Sequence, residues 1–367
     1  MALLLRSTVL GLGGQRLGRG GEGDGPEPAL LASNENPYPL DPRIVQAVTA
    51  GLAGSNRYPD PAASWLVAAL AARHQVTPDQ LVVGCGSVQL LQELIAATCD
   101  AGDEVVYPWR SFEAYPVLSQ IAAAASRPVQ LRGPHVDLDA IADTVSSRTR
   151  LVLLCSPNNP LGPALAHDEV GQLLDRLPDN VIVVLDEAYA EYVTDAGAVD
   201  GRRLLAAHPN LVVLRTFSKA FGLAGLRVGY GLCGSPVVAQ ALRNVHLPFA
   251  VGVVAQSAAL AALAIEDDLM RLAATITGLR DALVRDVRAL GWEVPDAQGN
   301  FLWLPTGRAS EFLASALAEK RVVVRCFSDE GLRITIGTPE QNAAVLTALT
   351  ALMGGGQPVD KAGSDQT

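Results

Sequence analysis

The chain has 367 residues, of which 49% are hydrophobic and 18% charged, enough apolar material for one large or two ordinary domains. Its formal net charge is −10 and its pI about 5.0, so it lacks the basic excess that a nucleic-acid partner requires. Its five cysteines are scattered without a CxxC pair, which favours a reducing, cytoplasmic location, and its five histidines show no metal-ligand spacing, which argues against a metal site.

The first 40 residues are predicted to form a partly disordered N-terminal arm. Residues 1–10 are apolar, but the run is too short and interrupted for a signal peptide, and residues 11–28 are rich in glycine and charge. A dinucleotide fingerprint begins at Gly11, but no amphipathic helix follows it, so a nicotinamide oxidoreductase is rejected. Prolines and asparagines over residues 30–39 predict an extended or turn segment.

Helices are predicted at residues 44–52 and 65–73, with a polar loop at 56–60 between them. Taken alone, Tyr58 in this loop has the character of a packed loop tyrosine. A strand at 81–83 then leads through a glycine turn into a helix that begins near Ser87. The free backbone N–H groups at such a helix start attract phosphate, and a plain N-cap role for Ser87 is equally compatible.

Four further strands are predicted, and each ends on polar or aromatic groups: 104–108, 150–155, 181–185 and 211–214. An aromatic segment, an Asn-Pro turn, a pair of carboxylates and a lysine segment follow these strands in turn. Continuous apolar strands are typical of a parallel sheet, and ligands bind at its carboxyl edge. The order predicts a doubly wound α/β domain at residues 41–245 with one convergent site.

Lys219 follows the last of these strands, in a segment that runs from Thr216 to Arg227. Burial disfavours the charged form of a lysine and lowers its pKa, and a neutral lysine can hold an aldehyde cofactor as a Schiff base. A lone lysine in a loop is more often a surface residue. Here the hydroxyls of Thr216 and Ser218 and the phosphate-binding fork of Arg227 favour a site instead.

Asp186 follows the apolar strand 181–185 directly, where a carboxylate is costly unless it has a cationic partner. A helix N-cap is an equally good interpretation of Asp186, and its neighbour Glu187 is expected to be solvated. Asn159 lies between an asparagine and a proline, with its amide free to bond outside the backbone. Phe112 follows the strand 104–108 and suits either stacking on a flat ring or a place in the core.

Beyond residue 245 the pattern changes, and a smaller α+β domain is predicted at residues 246–353. Its predicted helices are 266–290, 310–320 and 340–353, and its predicted strands are 300–304, 321–326 and 331–336. The stretch 247–265, rich in alanine and valine, favours a buried or interface helix over a membrane span, so no membrane partner is expected. Residues 354–367 are predicted to form a disordered tail.

Together these groups have the chemistry that pyridoxal 5′-phosphate requires. Its aldehyde condenses with a lysine, here Lys219, and its ring nitrogen stays protonated beside a carboxylate, here Asp186. Donors from Asn159 and Tyr189 suit its O3′ oxygen. Hydroxyls, helix N–H groups and Arg227 suit its phosphate.

Three motifs resemble those of fold-type I, class II aminotransferases: Asn159-Pro160, Asp186–Tyr189, and Ser218-Lys219 with Arg227 eight residues later. Three others resemble the histidinol-phosphate aminotransferase family: Asn34–Pro37, Asn56–Asp60 and Leu332–Gly337. The segments Gly84–Val88 and Trp109–Pro116 are similar to the actinobacterial aromatic (phenylalanine) branch of that family. The resemblance covers roughly residues 30 to 350.

The resemblance implies the fold-type I architecture and a role for each site residue. Lys219 would bind the cofactor covalently and shuttle a proton, Asp186 would pair with the ring nitrogen, and Phe112 would stack on the ring. The O3′ oxygen would be held by Tyr189 and Asn159, and the phosphate by Ser87, Val88, Thr216, Ser218 and Arg227. Tyr58 would reach the phosphate of the other subunit, which implies a homodimer. Substrate contacts would come from Arg333, which would clamp the α-carboxylate or, where the substrate is histidinol phosphate, its phosphate. Arg325 would be a second candidate for this contact, and Asn34 would also bind substrate.

The predicted function is transamination between an aromatic L-amino acid and a 2-oxo acid such as 2-oxoglutarate, in a ping-pong reaction through pyridoxamine phosphate. Histidinol-phosphate transamination is the alternative. Decarboxylation is disfavoured because Arg333 would grip the carboxylate that is kept, and a non-catalytic module is disfavoured because no basic extension exists. The sequence departs from the family at Leu161, where threonine is usual, and in the N-terminal arm, which lacks the usual Tyr-x-Pro-Gly.

Overall fold

The computed structural model describes residues 27–354, so the predictions for residues 1–26 and for the tail beyond 354 lie outside the described residues. The helices are α1 (Pro42–Leu52), α2 (Ser64–His74), α3 (Ser87–Thr98), α4 (Ala114–Ile121), α5 (Leu138–Thr144), α6 (His167–Arg176), α7 (Pro236–Val245), α8 (Val253–Ala264), α9 (Glu266–Ala289), α10 (Ser310–Glu319) and α11 (Pro339–Gly354). The strands are β1 (Ala29–Leu31), β2 (Leu81–Gly84), β3 (Glu104–Trp109), β4 (Ala125–Gln130), β5 (Thr149–Cys155), β6 (Ile182–Asp186), β7 (Leu211–Thr216), β8 (Gly229–Cys233), β9 (Phe301–Leu304), β10 (Val322–Phe327) and β11 (Gly331–Thr335).

Seven strands form the larger sheet, in the order β2-β8-β7-β6-β5-β3-β4. The strands from β7 to β4 pair in parallel, and β8 runs antiparallel to both of its neighbours. The predicted α/β fold with a mostly parallel sheet is therefore confirmed. Cys155, Asp186 and Thr216 are the last residues of β5, β6 and β7, so three adjacent strands deliver their ends to one edge.

Two strands of this sheet, β4 and β8, were not predicted from the sequence. The strand β4 lies at the sheet edge and is largely exposed, so it carries no apolar run. The strand β8 contains two glycines, which are depleted in strands. Gly229 is required there by close packing, because an added Cβ would lie 2.5 Å from the backbone nitrogen of Ser87.

The strand β3 continues through Pro108 to Trp109, one residue past the predicted end. Proline removes a ladder donor, and inside a sheet this usually ends a strand. Here the registered pairing with β5 extends only to Val106, while pairing with β4 continues to Trp109. The proline therefore lies where β3 is paired on one side alone.

Four strands form the smaller sheet, in the order β1-β10-β11-β9. The strand β1, which begins the extended segment predicted at residues 30–39, pairs in parallel with β10, and the other pairs are antiparallel. The core of the larger sheet takes in the alanines of α8 and reaches Leu269, whereas Ala273 already belongs to the core beside the smaller sheet. The packing thus changes within α9, and the domain limits 41–245 and 246–353 stay predictions.

The stretch 247–265 contains the helix α8, in which Ala255, Ala258, Ala259 and Ala262 are buried in the larger core, as the buried-helix interpretation expected. Across residues 27–354, none of the helices combines the length and apolar character needed to cross a bilayer.

Candidate active site

A pocket of about 350 Å³ lies at the carboxyl edge of β5, β6 and β7, facing residues of the smaller sheet. All but one of the predicted site residues line it: Asn34, Ser87, Val88, Phe112, Asn159, Asp186, Tyr189, Thr216, Ser218, Lys219, Arg227, Arg325 and Arg333. The exception is Tyr58. Segments that are far apart in sequence therefore meet in one cavity, as the convergent-site prediction expected.

Lys219 lies three residues beyond β7 and is partly buried in this pocket. Its Nζ donates to the carbonyl oxygen of Ser33 at 2.9 Å. Burial, followed by the positive charge of Arg333, lowers the pKa of Lys219 to about 7. A large share of the amine is therefore neutral near pH 7, which is the state in which a lysine attacks a carbonyl carbon.

Asp186 is only 4% exposed, and burial, followed by the charge of Glu187, raises its pKa to about 7. One of its oxygens accepts a hydrogen bond from the backbone N–H of Ala188 at 3.2 Å. No α-helix begins there, since only a short 3₁₀ turn follows at 190–192, so the N-cap interpretation is wrong. Within residues 27–354 Asp186 has no salt-bridge partner, and this carboxyl suits a ligand that brings its own cation.

Glu187 was expected to be solvated, and this expectation is wrong. Its side chain is 1% exposed and forms an ion pair with Arg215 at 2.6 Å. It also accepts a hydrogen bond from the backbone N–H of Gly201 at 2.8 Å. The chain stays extended after β6, with the Glu187 N–H bonded to the carbonyl of Leu214, so consecutive carboxylates point to opposite faces. Only Asp186 faces the pocket.

Tyr189 lies at the centre of a buried hydrogen-bond chain. Its hydroxyl oxygen accepts hydrogen bonds from the side-chain amides of Asn34 and Asn159, each at 3.1 Å. With both amides donating, the phenolic proton is left to donate into the pocket. Asn34 is held in turn by Thr335, whose hydroxyl donates to Asn34 Oδ1 at 3.1 Å and accepts from the Asn34 N–H at 2.9 Å. Burial raises the pKa of Tyr189, so the phenol stays protonated.

Arg333 is 7% exposed, although an arginine in an alternating strand is usually a surface residue. One guanidinium nitrogen donates to Asn159 Oδ1 at 2.6 Å and the other donates to the carbonyl of Ala32 at 2.5 Å. Its Nε is buried and has no hydrogen-bond partner among residues 27–354, and burial lowers the pKa of the guanidinium. A buried guanidinium with an unused donor suits a carboxylate ligand.

The residues predicted to bind the cofactor's phosphate lie together at the start of α3. Gly86 has a φ of 76°, and its missing Cβ leaves room for Arg227, whose Nη2 would lie 2.6 Å from that atom. Arg227 donates to Ser218 Oγ at 3.3 Å. The helix begins at Ser87 with Gly86 as its cap, so Ser87 is not the N-cap. A helix N-terminus, hydroxyls and a guanidinium together make an anion site.

The two predicted aromatic contacts differ in their placement. Phe112 lines the pocket and packs edge-on against Tyr115, with ring centroids 5.7 Å apart. Tyr58 is 80% exposed, lies outside the pocket and stacks on Phe249 at 4.4 Å. The packed-loop interpretation of Tyr58 is therefore only partly met, because one face of its ring is covered and the rest is open to solvent.

Sequence reasoning missed several lining residues: Ala32, Ser33, Glu35, Glu113, Cys155, Ala188 and Ala224. Glu113 carries a contact of its own, an ion pair with Arg325 at 2.9 Å. It lies directly beside Phe112, and that adjacency was the only signal that could have identified it. The unusual Leu161 is buried in a small apolar cluster with Trp303 and Phe327, which explains a leucine at that position.

These residues fit pyridoxal 5′-phosphate by their chemistry. One pocket holds a lysine whose pKa is lowered, a carboxyl that is buried without a salt-bridge partner among residues 27–354, a phenol that donates, and an anion site. In the described part of the chain, no three His, Cys, Asp or Glu side chains gather as metal ligands would.

Comparisons with known proteins agree with this chemistry. A family model described as "Aminotransferase class I and II" matches residues 26–349. The aromatic amino acid aminotransferase of Streptomyces coelicolor is 47% identical, over 92% of this chain and 94% of that protein. The enzyme of the same name from Thermobifida fusca is 46% identical, over 94% of this chain and 95% of that protein.

Among solved structures, histidinol-phosphate aminotransferase from Sinorhizobium meliloti, in complex with pyridoxal 5′-phosphate, superimposes with a TM-score of 0.83. It is 26% identical, and the match covers 89% of this chain and 91% of that one. The resemblance drawn from the motifs is therefore confirmed. The chain belongs to the class I and II aminotransferases, enzymes that depend on pyridoxal 5′-phosphate.

Proposed function

We propose that this enzyme transfers the amino group of an aromatic L-amino acid to a 2-oxo acid such as 2-oxoglutarate, in a ping-pong reaction. The observation that carries the chemistry is the meeting of Lys219, Asp186 and Arg333 in one pocket. The aromatic donor is supported by relatives named aromatic amino acid aminotransferase at 42–47% identity. Histidinol phosphate is the less supported donor, since the solved structure of that name is only 26% identical.

Bound pyridoxal 5′-phosphate supplies an electron sink and a temporary carrier for the amino group. Lys219 would hold the cofactor covalently, and its low pKa allows its Nζ to take and return the proton at the substrate Cα. Asp186 would keep a proton on the ring nitrogen, because a cation there relieves the cost of its own burial.

The remaining contacts would orient the two ligands. Tyr189 would donate to the cofactor's O3′ oxygen, since both neighbouring amides already donate to the phenol. Ser87, Val88, Thr216, Ser218 and Arg227 would hold the phosphate, and Phe112 would cover the ring. Arg333 would clamp the substrate carboxylate, with its unpaired Nε as one donor. Asn34 would act through its hydrogen bond to Tyr189, and Arg325 would lie opposite Arg333 at the pocket wall.

We further propose a homodimer in which Tyr58 reaches the partner's cofactor. Tyr58 stacks on Phe249, and both side chains are exposed, so this aromatic pair is open to contact with a second subunit. A mixture of Tyr58→Ala and Lys219→Ala subunits should form hybrid dimers with one intact site, so activity should reappear on mixing. Absence of recovery in confirmed hybrids would refute the contact of Tyr58 with the partner's cofactor. A cytoplasmic location remains a prediction.

The test of the function uses the small number of lysines. The chain has three, at positions 219, 320 and 361. Borohydride reduction of the loaded enzyme followed by peptide mapping should place the label on Lys219, and Lys219→Ala should abolish turnover and the bound-cofactor absorbance. Lys320→Ala, an exposed residue at the end of α10, is the matched control. Steady-state kcat/KM with phenylalanine and tyrosine should exceed that with histidinol phosphate, and the reverse order would refute the aromatic assignment.

A further inference from the structure

The ion pair between Glu113 and Arg325 has no part in the chemistry above, yet both residues line the pocket. Arg325 Nη2 lies 2.9 Å and 3.0 Å from the two carboxylate oxygens of Glu113. The side chain of Arg325 is 23% exposed and that of Glu113 is 36% exposed, so the pair is accessible to a ligand at the pocket wall.

Arg325 stands directly opposite Arg333 in the antiparallel pairing of β10 with β11. Residues that face each other in this way project from the same side of the sheet, and like charges there repel. Glu113 offsets the charge of Arg325. Arg333 has only neutral oxygens as partners within residues 27–354. The two guanidiniums therefore present one uncompensated positive charge.

We propose that Glu113 determines substrate specificity. By neutralising Arg325 it leaves this part of the pocket with a single positive charge, which suits a carboxylate rather than a phosphate. The inference rests on the proposed function. An α-amino acid brings one negative charge to Arg333. The phosphate of an amino-alcohol phosphate such as histidinol phosphate carries about −1.5 to −2 at pH 7, and it would need both guanidiniums. Its extra charge would have to displace Glu113 or lie beside it, and like charges in close contact are strongly unfavourable.

The test compares kcat/KM for L-phenylalanine and L-histidinol phosphate, with one acceptor, in the holoenzyme. Glu113→Gln keeps the size of the side chain and frees Arg325. It should raise the ratio of histidinol phosphate to phenylalanine about tenfold or more. Inorganic phosphate should also become a stronger competitive inhibitor of this variant, because Arg325 is free to bind it. Added phosphate would not report on the site at α3, since the cofactor's own phosphate occupies that site in the holoenzyme.

Two further proteins isolate the mechanism. In an Arg325→Gln background, Glu113→Gln should no longer raise the ratio, because there is no guanidinium left to release. Glu330→Gln is the matched control, since Glu330 pairs with Arg110 and does not line the pocket. It should leave the ratio unchanged.

A wild-type preference for phenylalanine combined with a ratio in Glu113→Gln within about twofold of wild type would overturn this inference alone. A rise that persists without Arg325 would do the same. A wild-type enzyme that prefers histidinol phosphate would overturn both the inference and the proposed function.

Discussion

Replacing Asp186 with asparagine should stabilise the cofactor-free protein at alkaline pH although it removes a group that the reaction needs. Burial raises the pKa of Asp186 from 3.8 to about 7. Between these two values the folded protein keeps a proton that the unfolded chain has released. The free energy of unfolding therefore falls as pH rises through this window, and the loss is complete above about pH 7.

The magnitude follows from the size of the pKa change. A rise of about three pH units at 1.36 kcal/mol per unit corresponds to about 4 kcal/mol in total, and about 2 kcal/mol of it develops between pH 5.5 and pH 8.5. The asparagine side chain cannot ionise, so the variant lacks this loss. Lys219 titrates in both proteins, and the comparison between them therefore contains the coupling of Lys219 to Asp186 but not the burial of Lys219 itself.

Urea unfolding of the cofactor-free proteins at pH 5.5 and pH 8.5 measures the effect. The stability of Asp186→Asn relative to wild type should increase by about 2 kcal/mol between the two pH values. Asp179→Asn, which changes an exposed carboxylate, should show no such increase. Added pyridoxal 5′-phosphate should stabilise the wild type more than Asp186→Asn, because only the wild type pairs a carboxylate with the ring nitrogen. A pH-independent difference between the two proteins would refute the reasoning.

Three other substitutions have calculable outcomes. Arg333→Lys should lower kcat/KM for the amino acid about 100-fold through KM while cofactor absorbance persists, and an unchanged KM in steady-state kinetics would contradict the assigned contact. Gly229→Ala should weaken cofactor binding about tenfold in absorbance titrations, because the added Cβ would lie 2.5 Å from the first backbone nitrogen of α3. The control is Gly231→Ala, whose added Cβ would have a side chain as its nearest contact, at 3.3 Å. Equal cofactor affinities of the two variants would count against the crowding argument. Glu187→Gln removes the closer of the two carboxylates that pair with the buried Arg215 and leaves Glu191 at 3.4 Å, so it should cost about 2 kcal/mol in urea unfolding, a figure that a loss below about 0.5 kcal/mol would rule out.

The larger sheet was readable from the sequence because its central strands are continuous apolar runs. The strands β5, β6 and β7 are largely buried on both faces, so each contains a continuous apolar run, and the polar residues that follow the run lie at or near the edge. The strand β8 gave no such signal. Its Gly229 reflects the close approach of another backbone, which is a property of the assembled fold.

Site residues could be predicted where the signal lies in the neighbouring sequence, but not where it depends on contacts between distant segments. Lys219 and Asp186 could be identified because each lies close to the end of an apolar strand. Arg333 did not, since an arginine in an alternating strand reads as a surface residue, and only the resemblance to the family assigned it. The partners of Glu113 and Glu187 lie 212 and 28 residues away in the chain, and no periodicity connects such pairs.

The hydrogen bonds that tie Arg333 to its neighbours are the ones that a carboxylate bound to Arg333 would exchange. Arg333 now donates to the carbonyl of Ala32 and to Asn159 Oδ1, and Asn159 in turn donates to Tyr189. A carboxylate at Arg333 competes with both neutral acceptors and, being charged, is the stronger one. A carboxylate bound to Arg333 would therefore loosen Asn159 from Arg333 without removing its bond to the phenol. One amide connects Arg333 with Tyr189, and this places a strand of the smaller sheet in hydrogen-bond contact with the edge of the larger one.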